Sequence, residues 1–457
     1  MAATLPKLIV IKSKYDSGNG NAYYSAEKDG SVLVGEEDVF STLVKIEVER
    51  STTNTKYVHL RFSYFNRYWQ RKENGVDIVG ASDQPEEDLT KPSCTLFEAV
   101  KVDDSGVFYL RHVQSGGRVL LDPSTMALYA DGNAGDDTRS YLTFVDWNTV
   151  VKLPPRVAFK GSNGLYIKDR NGSLEFTSED PNDESSSYVV ELMPDGHVQI
   201  KQPAGEGNYW SVSHTVNFWV NIIDPFSQQI KFWPVKMDED TIALRSADTN
   251  NFCRRLTAEG LTDGVSASAT SITNEAIMTV QESVVGRKIY NVVYQMEYAR
   301  IFDEAPYLAG SASLTNGEAE EANMAVSITY EDQKSYSFTR SVSLTAGVTA
   351  SIEAGLPFIE KATITVSYSI NGTFQWDNTT TTTTSVTATG TVPVPGKSSV
   401  TVDYVGTRGT CNIPYSYTQE DRSSIDGKPI YTDLADGIYT GVSYYNFKFY
   451  VRDTLPL

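Results

Sequence analysis

Cysteine is scarce in this chain: three residues in 457, Cys94, Cys253 and Cys411, far apart from one another. So few and so scattered, they exclude a disulfide framework and fit a reducing compartment. No run of 18 or more apolar residues occurs, which excludes a transmembrane helix. Met1 to Ile11 lacks a basic stretch followed by a long apolar one, so no signal peptide is expected and the chain reads as cytoplasmic. Basic residues are outnumbered, 39 Lys and Arg against 58 Asp and Glu, for a formal charge of −19. Nucleic acid is therefore not an expected partner, because its binding rests on neutralising phosphates with Lys and Arg. Docking on anionic lipid by charge alone is disfavoured on the same ground. The four histidines, His59, His112, His197 and His214, have no Cys, Asp or second His at metal spacing. Neither a G-x-S-x-G elbow nor a P-loop is found. No metal or other cofactor is expected, and the chain does not read as an enzyme.

What is present is strand pattern. From Met1 to about residue 285 a short signature returns six times: Ile9-Val10-Ile11-Lys12, Val58-His59-Leu60-Arg61, Phe108-Tyr109-Leu110-Arg111, Val157-Ala158-Phe159-Lys160, Val198-Gln199-Ile200-Lys201 and Ile242-Ala243-Leu244-Arg245. Each is a strand with apolar residues two apart, closed by a basic residue. Self-similarity at 40–50 residues marks units that cannot each bury a core alone. Six propeller blades would not explain why the spacing shortens after Trp147–Pro155, where Leu153-Pro154-Pro155 reads as an extended connector. Two threefold units, each a β-trefoil, account for both the repeat and the break. Closing three repeats into a barrel also removes exposed strand edges. At this length the chain should split into about three domains. The predicted boundaries are 1–150 and 151–286 for the trefoils and 287–457 for the remainder.

From about Lys288 the strands lengthen and become rich in Ser, Thr and Tyr. The tract Thr379–Thr384 suits either a solvated linker or a strand continuing to Val392. Tyr445–Val451 reads as a closing strand. Within this region Val342, Leu344, Ala346, Val348, Ala350, Ile352, Ala354 and Leu356 alternate with Ser, Thr, Gly and Glu353. After a break at Pro357–Lys361, where Phe358 and Ile359 lie, Ala362, Ile364, Val366, Tyr368 and Ile370 resume the alternation. Period two places one face against something apolar and the other against water. A half-buried strand of an ordinary sandwich gives the same pattern. The small residues of the apolar set, the Ser/Thr face and an apolar turn favour a membrane-inserting hairpin, since each arm nearly matches the roughly 9–11 residues of a tilted transmembrane strand. Ser, Thr, Glu353 and Lys361 would then face a water-filled lumen.

These residues carry two resemblances. Val58–Arg71, Pro92–Phe97, Val145–Trp147 and Val157–Tyr166 resemble the amaranthin agglutinins, plant lectins of two tandem β-trefoils, over the first 285 residues. The remainder looks like an aerolysin-type β-pore-forming module. The resemblances imply an all-β fold: two trefoils, then an elongated aerolysin-like β-sheet domain with an inserting hairpin. They imply binding of galactose or N-acetylgalactosamine glycans, through contacts that map onto Asn74, Gly75, Val76 and Asp77. The aromatic residues that follow Asn74 in the family pattern are absent here. Tyr68, Trp69, Trp210, Phe218 and Trp219 are the nearby rings that could cover a sugar face, with core packing as their competing role. The expected function is a plant defence lectin, a monomer or dimer in solution, that assembles as a homo-oligomeric ring on glycosylated membranes and forms a β-barrel pore through residues 342–370. The alternative is a non-lytic nucleocytoplasmic stress lectin whose C-terminal module serves assembly or storage.

Overall fold

Each of the six signatures opens one repeat of a barrel. The structure, a computed structural model, describes all residues except 1–4, 16–21, 133–134, 204–207, 224–226, 341–343 and 345–347, with no side-chain description for 227–228. In the first half, Leu8–Ser13, Ile46–Arg50, Val58–Phe62, Leu96–Lys101, Phe108–His112 and Leu142–Asp146 pair antiparallel in a closed ring. Three hairpins complete the unit: Tyr23–Ala26 with Val32–Glu36, Arg67–Arg71 with Ile78–Ser82, and Arg118–Leu121 with Leu128–Asp131. The second half repeats the plan, with a ring of Arg156–Lys160, Tyr188–Leu192, Val198–Lys201, Phe232–Lys236, Thr241–Ser246 and Met278–Glu282 and three further hairpins. Six-stranded closure with three hairpins is the β-trefoil, twice.

The basic residue that closes each signature has a structural cause. Lys12, Arg61, Lys160 and Lys201 lie over the first ring of the following hairpin, at 5.9 Å from Tyr23, 5.7 Å from Tyr68, 5.5 Å from Tyr166 and 5.6 Å from Tyr209. A cation over a ring face joins barrel to hairpin at the same place in four of six repeats. The connector after Trp147 is not a free linker: Trp147, Val150, Val151 and Leu153 are buried. Trp147 and Val150 pack with Val10, Tyr23, Val39, Phe40 and Val44. Apolar side chains at a Pro-rich junction drew it into the packing.

The C-terminal sheet is built from β1 (Val284–Tyr294), β2 (Arg300–Asn316), β3 (Ala322–Thr339), β4 (Ala350–Glu360), β5 (Thr363–Phe374), β6 (Thr380–Val394), β7 (Ser398–Ser423) and β8 (Pro429–Pro456). Their order is β5-β4-β1-β7-β8-β3-β6, with β2 beside β7. β8 is far longer than the closing strand expected from Tyr445–Val451, and the Thr tract is strand, not linker. β3 and β6 pair over fifteen positions, from Ala322 opposite Val394 to Tyr336 opposite Thr380. Even-numbered residues such as Val326, Ile328, Val392 and Val394 are buried, whereas odd-numbered Ser327, Thr329, Thr387 and Thr389 are exposed. The chain forms two compact units, Met1–Arg287 with Ser341–Thr349 and Glu420–Tyr431, and Lys288–Arg340 with Ala350–Gln419 and Thr432–Leu457. Within the first, buried Arg287 lies between Glu282 and Asp421.

All three cysteines are free and buried. Burial pushes the Cys253 and Cys411 thiols up to about 12 and raises Cys94 as well. The native protein at pH 8 should therefore give no reaction with an aromatic disulfide reagent, and three equivalents per chain once unfolded in guanidinium. A fast-reacting thiol in the native protein would contradict this packing.

Candidate inserting hairpin and carbohydrate surface

The alternating segment forms a hairpin, but not with the turn the sequence suggested. β4 runs through Leu356, Pro357, Phe358 and Ile359 without a break, and the two-residue turn is Lys361-Ala362. Both turn residues have positive φ, 50° and 67°. That geometry matches the twist of a hairpin and ordinarily selects Asn or Gly. A Lys and an Ala there are strained.

The outward strand begins only at Ala350. Val342 and Ala346 lie outside the described residues. Leu344 is not in the hairpin: it is buried in the core cluster of the second trefoil, with Val157, Phe159 and Trp210. Val348 is half-buried and precedes the strand.

On β4, Ala350, Ile352, Ala354 and Leu356 are buried while Glu353 is exposed, as the alternation requires. Ile352, Ala354, Leu356, Phe358 and Ile359 join a cluster with Ile289, Phe338, Cys411, Ile413, Tyr415, Tyr439 and Tyr445. Polar bonds fix the same strand. Tyr294 donates its hydroxyl to the Gly355 carbonyl (2.5 Å), Tyr439 to that of Pro357 (2.7 Å), and Ile359 N–H donates to Ser443 Oγ (3.1 Å). Burial pushes both phenols well above their ordinary value, so they remain neutral donors. Lys334 Nζ sits 5.4 Å from the Phe358 ring and 4.7 Å from that of Tyr368, whose hydroxyl is within 3.2 Å.

The return strand β5 is the sheet edge. Ile364 and Ile370 are half-buried, and Val366 and Tyr368 are 54% and 52% exposed. The register slips by one residue between Leu356 and Pro357, where Leu356 opposes Tyr368 and Pro357 opposes Val366. A one-residue bulge moves every side chain beyond it to the other face. Val366 accordingly packs against Gly355, on the polar side of β4, and Ile364 pairs with Ile359. The expectation that Val366 shares one face with Ile352 and Leu356 is therefore corrected, whereas Ile364, opposite buried Ile359, still packs against their cluster. Near the turn, a hydrogen bond from Ser367 holds the Glu360 carboxyl below its ordinary value.

The hairpin is carried between two strands that pair with each other, β3 before it and β6 after it. Thirteen residues, 337–349, separate Tyr336 from Ala350, whereas five, 375–379, separate Phe374 from Thr380.

Of the predicted sugar contacts, most rings are core. Trp69 packs against Tyr24, Phe62 and Phe97, and Trp210 against Phe159, Tyr188 and Phe232. Tyr68 and Trp219 are also buried, donating to Glu49 and Glu259 respectively. These four present no open face to a sugar; the hairpins of a trefoil turn their large rings inward. Phe218 is half-buried with φ 48°.

Asn74, Gly75 and Asp77 do lie on an outer hairpin loop, with Asn74 and Asp77 exposed. Asp77 bridges to Tyr129 of the next repeat. Asp77 and Tyr129, with Val76, Asp122, Thr125, Ala127 and Leu128, line a shallow pocket of about 410 Å³. Hydrogen bonds from Ser124, its backbone N–H first, hold the Asp122 carboxyl below its ordinary value. Two carboxylates and a half-buried ring suit a sugar's hydroxyls and C–H face. Asp122, Thr125 and Tyr129 were not singled out from the sequence, because they come from a different repeat; the threefold repeat was the available signal. Among the described residues no group of His, Cys, Asp and Glu could hold a metal ion, and no helix is long and apolar enough to cross a membrane.

Comparison with known proteins gives two domain matches. Residues 3–119 match the Agglutinin domain, and residues 267–446 match the family of Clostridium epsilon toxin ETX and Bacillus mosquitocidal toxin MTX2. Natterin-1 of Thalassophryne nattereri is 26% identical over 141 residues, 31% of this chain and 40% of that protein, so the match spans two fifths of that relative. Among solved structures, a lamprey immune protein aligns over 66% of this chain and 100% of its own, at 12% identity and TM-score 0.34. A mosquitocidal holotoxin aligns over 64% and 36%, at 9% identity and TM-score 0.30. An aerolysin-like protein of Bombina maxima aligns over 37% and 99%, at 11% identity and TM-score 0.26.

Two outcomes test these sites. Changing Asp77 and Asp122 together to Ala should abolish glycan binding on an array, whereas Trp210→Phe should leave it intact; the reverse pattern would return the binding role to the buried ring. Ala362→Gly relieves a left-handed alanine and should stabilise the soluble protein by about 1 kcal/mol. A thermal melt that moves down instead would show the turn to be unstrained.

Proposed function

We propose, for a chain that joins an N-terminal agglutinin domain to a C-terminal aerolysin-like ETX/MTX2 toxin domain, that it is a glycan-directed former of β-barrel pores. The trefoils bind galactose-type or N-acetylgalactosamine-type epitopes on a target membrane and concentrate the protein there. Docked copies assemble into a ring. The β4–β5 hairpin leaves its own domain, and one hairpin from each copy contributes to a closed barrel. The apolar set faces lipid, Ser, Thr and Glu353 face the lumen, and Lys361 lies at the turn. In this reading the protein is held in the cytoplasm and acts in plant defence when released by damage. It has no catalytic step, in keeping with lectin and pore-forming toxin families, which are generally non-enzymatic.

The observation that carries the proposal is the hairpin itself. Its strands are bonded to each other along their whole length, from Glu360 opposite Thr363 to Ala350 opposite Phe374. It can therefore leave the sheet without losing its own ladder. The apolar residues of β4 are covered in this fold by the tyrosine-rich cluster. Ile352, Leu356, Phe358 and Ile359 contribute about 1.5–3 kcal/mol each when fully buried, and lipid would return a comparable amount. Closure of the barrel satisfies the backbone groups that lipid would leave unpaired.

A cross-link tests this directly. Cysteines at Ile359 and Ser443, which are in hydrogen-bond contact, should on oxidation fasten the hairpin to its own domain. Glycan binding should persist, leakage of dye from glycolipid vesicles should stop, and reductant should restore it. Leakage from the fully cross-linked protein would sink the pore-forming reading. Failure of the wild type to leak any vesicle it binds would favour the non-lytic lectin, and fractionation of undamaged tissue tests the cytoplasmic location.

A further inference from the structure

The two faces of the hairpin differ in charge as well as polarity. Glu353 lies opposite Asn371, with Ser351 opposite Thr373 and Gly355 opposite Ser369. These six share the face turned away from Ile352, Ala354 and Leu356. Glu353 is exposed, and among the described residues it has no ion pair. The other ionised residues of the hairpin, Glu360 and Lys361, are adjacent at its turn and opposite in sign. The next charges beyond its two strands, Arg340 and Asp377, are again of opposite sign. Glu353 is therefore the one uncompensated charge on the polar face.

Its depth follows from strand geometry. It lies eight positions before Lys361; at about 3.3 Å per residue and a tilt of roughly 40°, that is ~20 Å from the tip, inside an apolar band about 25 Å tall. On a lumen wall of hydroxyls and amides, one carboxylate per copy makes a ring of negative charge where low-dielectric walls weaken screening. Rings of Asp or Glu favour cations in channels. The polar face of β3 and β6 leads to the hairpin with Ser327, Thr329, Thr387 and Thr389, and its charged member, Glu331, has the same sign.

We propose that Glu353 makes the pore cation-selective. This rests on the pore-forming reading above and adds what passes through. The experiment is reversal-potential measurement in planar bilayers under a KCl gradient, with the full-length protein. The bilayers are phosphatidylcholine with a galactose-terminated glycosphingolipid and, at raised protein concentration, phosphatidylcholine alone. Wild-type pores should prefer potassium over chloride severalfold. Glu353→Gln should bring the ratio close to unity at similar conductance, Glu353→Lys should invert it, and Glu353→Asp should keep it. Because the side chain is exposed in the soluble form, all three variants should melt as the wild type does. Pores with no ionic preference, or a Gln variant with unchanged preference, overturn the assignment of Glu353 while leaving pore formation standing. No conductance step in either bilayer overturns pore formation itself, and this inference with it.

Discussion

An apolar β-hairpin must at all times keep its apolar face covered and its backbone bonds paired, and the C-terminal domain is arranged around that requirement. In the folded domain the cover is aromatic: Phe338, Tyr415, Tyr439 and Tyr445 lie against Ile352, Leu356, Phe358 and Ile359. Tyrosine serves where phenylalanine would not, because its hydroxyl can bond the hairpin's backbone while its ring fills the core. Tyr294 and Tyr439 do this at Gly355 and Pro357. The hold is thus partly polar, and the polar part is what lipid cannot replace. In the proposed pore the apolar contribution would be similar in lipid, so the balance between the two states would rest on these few bonds, on the β4–β1 pairing and on strained Lys361-Ala362.

The two halves of the chain manage strand edges in opposite ways. Each trefoil closes its six barrel strands on themselves, so the ring has no edge to offer. The C-terminal sheet ends at β5 on one side and β6 on the other. β6 is fifteen residues long, and its exposed side chains are mainly Thr. Hydroxyls keep such an edge hydrated without the charge that would repel a second strand. Closed trefoils and a sheet with open edges would suit the proposed order of events, binding as separate copies and assembling afterwards.

The sequence made the architecture legible because both periods are long-lived: the signature persists through six repeats, and the even-odd alternation runs from β3 into β4. It misplaced the turn because Leu356-Pro357-Phe358-Ile359 looks like an interruption, whereas Lys361-Ala362 lacks the usual turn residues and takes positive φ regardless. The bulge opposite Pro357 has no sequence mark, yet it turns Val366 to the polar side of β4. The candidate sugar surface was half legible. Asn74 and Asp77 could be placed on a loop, but alternation cannot tell a ring inside a trefoil from one outside it, and Trp69 and Trp210 proved to be core. Leu344 fits the alternation perfectly and packs elsewhere, because a leucine in period is still free to fill another core within reach.

The unequal connections on the two sides of the hairpin limit how it can extend. Thirteen residues lead into β4 and five lead out of β5, a surplus of eight. A ribbon running without interruption from β3 and β6 through β4 and β5 must either leave those eight residues looped out or slide one strand past the other by eight. Because eight is even, such a slide leaves every side chain on its present face. In such a ribbon Val326 and Ile328 would lie on the side of Ile352, and Thr329 and Glu331 on the side of Glu353. The bulge opposite Pro357 is the contrary case: a single residue that inverts facing near the tip, and whose removal would return Val366 to the apolar side. The long connection can therefore be absorbed without disturbing the two-faced pattern, whereas the bulge must be lost for the pattern to reach the turn.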